Sequence, residues 1–377
     1  MQLYPFVLAP RLVPKMWGGR RLHSVLGKPL PGEGAFGESW EVYDFPPGSV
    51  GADARQPSDD PNGWTSSPII NGSLAGRSLH EIMRTHRAEL LGNASPVPTA
   101  HGEQFPLLVK FLDARDDLSV QVHPPKRYAE THPDAFLKNE CWTVLAAEPG
   151  ARLLIGTKPG VTREQFANSL RDGTCESLLN SIPARVGETH YLPSGTVHAL
   201  GGGILAAEVQ TPSDTTYRVF DFGRVDPTTG KPRALHIEPA LECIDFENDW
   251  RAGFSETGDD DRVIVRAPQF TVTRRVRGLG QSPALDEPRP SATTLNEPRP
   301  SGSGPTAPDQ GAAPSREHRY DPGEMRVLIC IDGAATLQHD NGMIALSRGQ
   351  VVLLPASVGA VVRAVDRAAW LEATVNP

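Results

Sequence analysis

Cysteine is scarce in this sequence and never closely spaced: Cys141, Cys175, Cys243 and Cys330 are scattered, and no C-x-x-C occurs. That argues against a disulfide framework and suggests reduced, mostly buried thiols of a cytoplasmic protein. Basic clusters are also missing, and the net charge is −8. Nucleic acid is therefore not an expected partner. No apolar run approaches the ~20 residues of a membrane span. The opening MQLYPFVLAPRLVPKMWGG has no basic start followed by an apolar stretch, so no signal peptide is expected.

Hydrophobic residues make up only 38% of the 377, so a polar segment should dilute an otherwise ordinary core. Residues 279–316 are that segment. They hold two copies of an E-P-R-P-S motif, at Glu287–Ser291 and Glu297–Ser301, in a run of Pro, Ser, Gly and Ala. Such a composition cannot bury apolar surface, and we expect a disordered insert. Glycine and proline number 36 each, which favours many turns and short strands. Two helices are predicted. One covers Leu79–Gly92, with apolar residues at helical spacing and a glycine stop. The other covers 162–172, with Thr162 and Gln165 as a capping box and Gly173 as terminator. The tail from Tyr320 alternates like strands, and its D-G and N-G pairs suit hairpins.

The chemistry begins at LSVQVHP, Leu118–Pro124. Gln121 and His123 are two apart, so on a strand both side chains face one way. A buried Gln and His could simply satisfy each other. Further along, Gly187, Pro193, Gly195 and His198 resemble the second motif of the cupin barrels, G-x5-P-x-G-x2-H. The segment from Gly349 repeats this spacing, with Ala360 at the place of His198. Two related β modules are expected, the second without metal ligands. With Glu140, residues Gln121, His123 and His198 offer two imidazoles, a carboxylate and an amide oxygen. That set suits Zn2+, with Fe2+ or Mn2+ as alternatives. His190 is the spare histidine nearest this pattern.

The combination of KMWGGRRL, GESWEV, LLVKFLDARDDLSVQVHP, KNECWTVL, YLPSGTVHAL and EVQTPSDTTYRVFDFGR resembles the type I mannose-6-phosphate isomerases over most of residues 5–245. The likeness is to their short bacterial form; the insert at 279–316 is foreign to it. The resemblance implies a mainly β fold of two cupin-type (jelly-roll) β-barrels with a small helical insertion. It places a catalytic barrel over residues 1–260 and a metal-free barrel over residues 261–377. It implies one zinc per chain held by Gln121, His123, Glu140 and His198. It further implies pocket roles for Lys138, Arg218 and Asp214. Lys110 and Ser119 match positions near the substrate phosphate, and Arg224 falls where some members have lysine.

Aldose–ketose isomerisation needs a base and an electrophile that holds charge on oxygen. Zinc and Arg218 fit the second need. Lys138, Glu208 and Asp214 are the competing bases, and Lys138 beside other cations should have a depressed pKa. The expected partner is a small sugar phosphate, met by a cytoplasmic monomer. Other classes compatible with a metal cupin are a non-catalytic sugar-phosphate-binding protein and a different metal-dependent enzyme.

Overall fold

The computed structural model describes residues 2–49, 63–92, 103–226, 229–247, 249–256, 258, 260–278 and 316–376. The insert predicted at 279–316 therefore lies almost wholly outside the described residues. What is described is mainly β, as expected, and every strand pairing is antiparallel. A seven-stranded sheet runs in the order Phe254–Ser255, Thr189–Leu192, Glu140–Ala147, Ile204–Gln210, Leu108–Ala114, Arg11–Gly19, Phe36–Val42. A five-stranded sheet orders Leu179–Pro183, Arg152–Thr157, His198–Leu200, Val120–Val122 and Tyr217–Phe220. An eight-stranded sheet gathers most of the C-terminal strands, together with Phe6–Val7, which pairs with Val351–Leu354. The N-terminal strand thus belongs to the C-terminal sheet.

Strand alternation explains the layering. In Leu108–Ala114, Val109 and Phe111 point into a core shared with the eight-stranded sheet, while Leu112 and Ala114 enter a second core shared with the five-stranded sheet. Ile204–Gln210 and Glu140–Ala147 divide the same way: Leu205, Val209, Cys141 and Leu145 to one side, Ala206, Trp142 and Val144 to the other. A sheet covered on both faces reads as a near-continuous apolar run. Any polar residue on its inner face must then find partners there. Lys110, Glu140 and Glu208 occupy such inner positions.

The far face of the five-stranded sheet is covered by helices Arg163–Arg171 and Ile237–Cys243, through Phe166, Ala240 and Leu241 packed on Val120, Val122 and Val219. The capping box of Thr162 and Gln165 is present, and Gly173 follows with φ 70°. The predicted helix over 79–92 is two pieces, Leu79–Thr85 and Arg87–Leu91, broken at His86 (φ −139°, ψ 35°). Periodicity cannot register a break that keeps both apolar faces buried.

The internal echo is exact in register. Gly187 and Gly349 both have positive φ, 89° and 85°. Strands Thr189–Leu192 and Val351–Leu354 follow them, and the next strands open at His198 and Ala360. One turn signal was misread. Asn341-Gly342 does close a hairpin, with His339 paired to Gly342. Asp332-Gly333 instead lies inside the strand Arg326–His339, where the register shifts against Ala360–Val375. A bulge uses the same left-handed glycine that a hairpin does. At Gly333, φ is 68° and an added Cβ would sit 1.9 Å from the Arg367 carbonyl oxygen. Gly333→Ala should therefore destabilise the fold by at least ~1 kcal/mol. A lowered urea midpoint with an unchanged far-UV circular dichroism spectrum is the expected result; an unchanged midpoint would contradict the bulge assignment.

Candidate metal centre

Three buried side chains meet between the five- and seven-stranded sheets. Glu140 opens the strand Glu140–Ala147, His198 opens His198–Leu200, and His123 follows the end of Val120–Val122. Strand ends thus converge, and the ligand atoms of His123, Glu140 and His198 lie within 4.8 Å of one another. His198 Nε2 is 3.1 Å from Glu140 Oε1, and His123 Nε2 is 3.3 Å from Oε2. Gln121 faces the same point, its Nε2 3.4 Å from His198 Nε2. Turning that amide by 180° exchanges its nitrogen for its oxygen.

The outer nitrogens fix the protonation. His123 Nδ1 lies 3.0 Å from the Thr215 carbonyl oxygen, and His198 Nδ1 lies 2.8 Å from that of Thr196. A carbonyl only accepts, so each Nδ1 carries a proton, and in the neutral ring Nε2 presents its lone pair toward Glu140. Burial, and after it the Lys138 charge, push the His123 pKa down to about 3, so a second proton is not available. Burial works to raise the Glu140 pKa, but Lys138, at 3.0 Å from Oε2, and then His123 outweigh it and hold the carboxyl well below the usual range. Both Nε2 atoms thus face an ionised carboxylate; Lys138 compensates Oε2, while Oε1 and His123 Nε2 have no hydrogen-bond partner among the described residues. Acceptors without a shared proton repel. A divalent cation among them resolves the conflict, and the backbone carbonyls behind each imidazole are the outer partners that metal-bound histidines require.

A row of alternating charge runs along the inner face of the seven-stranded sheet. Lys15 is 3.3 Å from Glu38, and Lys110 lies between Glu38 at 3.7 Å and Glu208 at 3.6 Å. Burial works to lower the Lys110 pKa, but Glu208 and then Glu38 overcome it and raise it, so Lys110 stays charged. Burial likewise works to raise Glu38, but Lys15 and Lys110 bring it down to about 2. Glu208 accepts from Trp142 Nε1 at 3.1 Å; burial raises its pKa, with Lys110 opposing.

A cavity of about 250 Å³ opens over these groups, lined by Gln121, Lys138, Lys110, Glu208, Asp214 and Arg218, among others. Ser119 also lines it, with Oγ 3.5 Å from Gln121 Oε1. Arg218 is in register with Gln121 on the adjacent strand, so both face the cavity. The carboxylates of Glu38 and Glu208 surround the buried Lys110. Arg224 is not among the lining residues; it bonds the Asp221 carboxylate and the Asp117 carbonyl. His190 pairs with Trp142 in the sheet but sits outside the ligand cluster. A larger apolar cavity of about 430 Å³ lies across the segment Thr211–Asp214 and shares only Asp214 with the first. Among the described residues no ligand-type cluster lines it, and the metal-ligand candidates lie beside the smaller one. Lys15, Trp17 and Glu38 line the smaller cavity from stretches that the motifs had marked without assigning roles. Arg233 and His236 line it too, and no motif pointed to them.

A family model for the catalytic domain of type I phosphomannose isomerase matches residues 61–141. A mannose-6-phosphate isomerase of Streptococcus mutans is 39% identical over 271 residues, 71% of this chain and 77% of the relative. The chain belongs to the type I phosphomannose isomerase family. A second family member, a mannose-6-phosphate isomerase of Bacillus subtilis, is 37% identical over 65% of this chain and 69% of its own. Among solved structures, a Bacillus subtilis mannose 6-phosphate isomerase superposes with a TM-score of 0.71 at 24% identity, covering 98% of this chain and 99% of that one. A zinc-bound mannose 6-phosphate isomerase reaches 0.68 at 15% identity, covering 100% of both. At these identities the structures speak for the fold.

If the cluster is a metal site, His198→Ala should cost the protein its bound metal after dialysis while the fold survives, since His198 contributes little to the apolar core. Elemental analysis showing a full equivalent retained would contradict the assignment.

Proposed function

We propose that this chain interconverts mannose 6-phosphate and fructose 6-phosphate as a zinc-dependent aldose–ketose isomerase. The observation that carries the reading is the convergence of the buried ligand atoms of His123, His198 and Glu140 within 4.8 Å, with Glu140 Oε1 and His123 Nε2 lacking a hydrogen-bond partner among the described residues. Nitrogen and oxygen donors without thiolate favour Zn2+ in a catalytic rather than a purely structural role. Gln121 supplies the fourth donor, and one ion per chain is expected. Zinc held there would supply Lewis acidity to polarise the substrate carbonyl.

The chain's own residues do the rest. In the aldose-to-ketose direction a base removes the C2 proton, the electron pair passes through an enediol(ate), and a proton returns at C1. Arg218, beside Gln121 on the cavity wall, places a fixed positive charge where the enediolate oxygens develop. Lys138 and Glu208 flank that position and move the proton. Lys138 is ion-paired to Glu140, and Glu208 is a buried carboxyl with a raised pKa. Asp214 is the alternative acid at the cavity edge. Lys110 and Ser119 face the sugar, while Arg224 acts through Asp221.

The five- and seven-stranded sheets are best read as a cupin-type jelly-roll barrel over residues 1–260, and the strands of 261–377 as a second, metal-free one, completed by Phe6–Val7. The matching register after Gly187 and Gly349 supports that reading. Four buried free thiols accord with work in the cytoplasm, and a monomer is the expected state.

Conversion of fructose 6-phosphate to mannose 6-phosphate by the purified chain tests the proposal. Arg218→Ala should lower kcat by roughly 10²-fold, the scale of losing one oxyanion donor, with zinc occupancy unchanged. Normal kcat in that variant would remove Arg218 from the chemistry, and an inactive zinc-loaded parent would remove the function.

A further inference from the structure

The deep wall of the cavity has no charge to spare for an anion. Lys15, Lys110 and Lys138 each face a carboxylate, of Glu38, Glu208 and Glu140. The surplus of positive charge lies at the opposite side, beyond Arg218. There a single carboxylate, Asp221, sits between two guanidiniums. Arg224 bonds it from one side, and Arg233 grips it through Nε at 2.8 Å and through Nη2. That bidentate grip uses one edge of the Arg233 guanidinium and fixes its plane. Arg233 also lines the cavity, whereas Arg224 does not.

His236 stands beside it. The backbone N–H of Arg218 donates to His236 Nδ1 at 3.2 Å, and the His236 N–H donates to the Arg218 carbonyl oxygen at 2.7 Å. With Nδ1 an acceptor, the ring proton is on Nε2. Burial, reinforced by the Arg218 charge, lowers the His236 pKa, which keeps the ring neutral with that one donor.

Spacing then sets the length of the ligand. His198, Gln121 and Arg218 are register partners on adjacent strands, and His236 bonds to the outer side of Arg218. At ~4.8 Å per strand, the step from Gln121 to His236 is about 10 Å. That is the length scale of a six-carbon chain ending in a phosphate.

We propose that Arg233 and His236 form the anion-binding end of the substrate site, with Asp221 as the residue that positions Arg233, and that this pair selects a phosphorylated hexose over a free one. The assignment rests on the sugar-phosphate reading above. It places the phosphate away from Lys110, which is left to the sugar hydroxyls.

Two readouts test it on the zinc-loaded full chain: KM and kcat for fructose 6-phosphate, and calorimetric titration with inorganic phosphate. Arg233→Met should raise KM roughly tenfold or more, the cost of one charged hydrogen bond, with kcat changed far less. Inorganic phosphate should weaken in the same proportion, Arg233→Lys should recover part of the loss, and the His198→Ala chain, titrated in its metal-free form, should still bind phosphate. Should Arg233→Met fail to fold, Arg233→Lys and His236→Ala carry the test, each with a smaller rise in KM. Wild-type KM and phosphate affinity in these variants would overturn the proposal. So would phosphate binding that disappears in His198→Ala and persists in Arg233→Met, because the anion would then sit at the metal. If the parent bound phosphate through Arg233 but did not isomerise fructose 6-phosphate, the anion site would stand and the isomerase function would fall.

Discussion

The buried carboxylate of Glu140 is the constraint on which the site depends. It is ionised, shut away from water, and faced by two imidazole Nε2 atoms at 3.1 and 3.3 Å. Burying an unpaired charge costs several kcal/mol, and Lys138 alone compensates one oxygen. A metal ion turns three mutually repelling acceptors into ligands. The surroundings are built to keep that arrangement rigid: each imidazole is locked by a backbone carbonyl at Nδ1, and the Trp142 ring packs edge-on against His198 at 5.2 Å. Because Glu140 and His198 begin their strands, and His123 directly follows one, sheet geometry fixes the three side chains, and their neighbours Gln121 and Lys138 line the cavity.

The same logic extends outward along the seven-stranded sheet. Its two faces are both covered, so inner polar groups cannot rely on water. Lys15, Glu38, Lys110 and Glu208 answer this by alternating in sign across neighbouring strands. The pairing neutralises the deep wall, while on the opposite side two guanidiniums, Arg224 and Arg233, share the single carboxylate of Asp221. A substrate with a neutral reacting end and an anionic tail is matched to that division.

Much of this was legible in the sequence, for identifiable reasons. Gln121 and His123 stand out because a period of two puts both on one face, and His198 stands out because its glycine-proline turn fixes where the next strand begins. The short helices were legible through caps such as Thr162–Gln165. The break at His86 was not, since both halves bury the same face. The bulge at Gly333 could not be told from a hairpin, because both need a left-handed glycine. Lys110 shows the limit for site residues. A lysine in an apolar strand announces that it has a partner, but the partners Glu38 and Glu208 come from strands far away in the chain. Arg233 and His236 lie beyond any motif and reach the cavity only because the chain returns to hydrogen-bond with Arg218.

The central claim is that isomerisation requires the metal held by His123, Glu140 and His198. Solvent deuterium incorporation at C1 of fructose 6-phosphate, followed by NMR with chelated and zinc-restored protein, tests it most directly because it reads the proton transfer itself. The account predicts that exchange stops on chelation and returns with one equivalent of zinc. Exchange that continued at the parent rate in metal-free protein would contradict it.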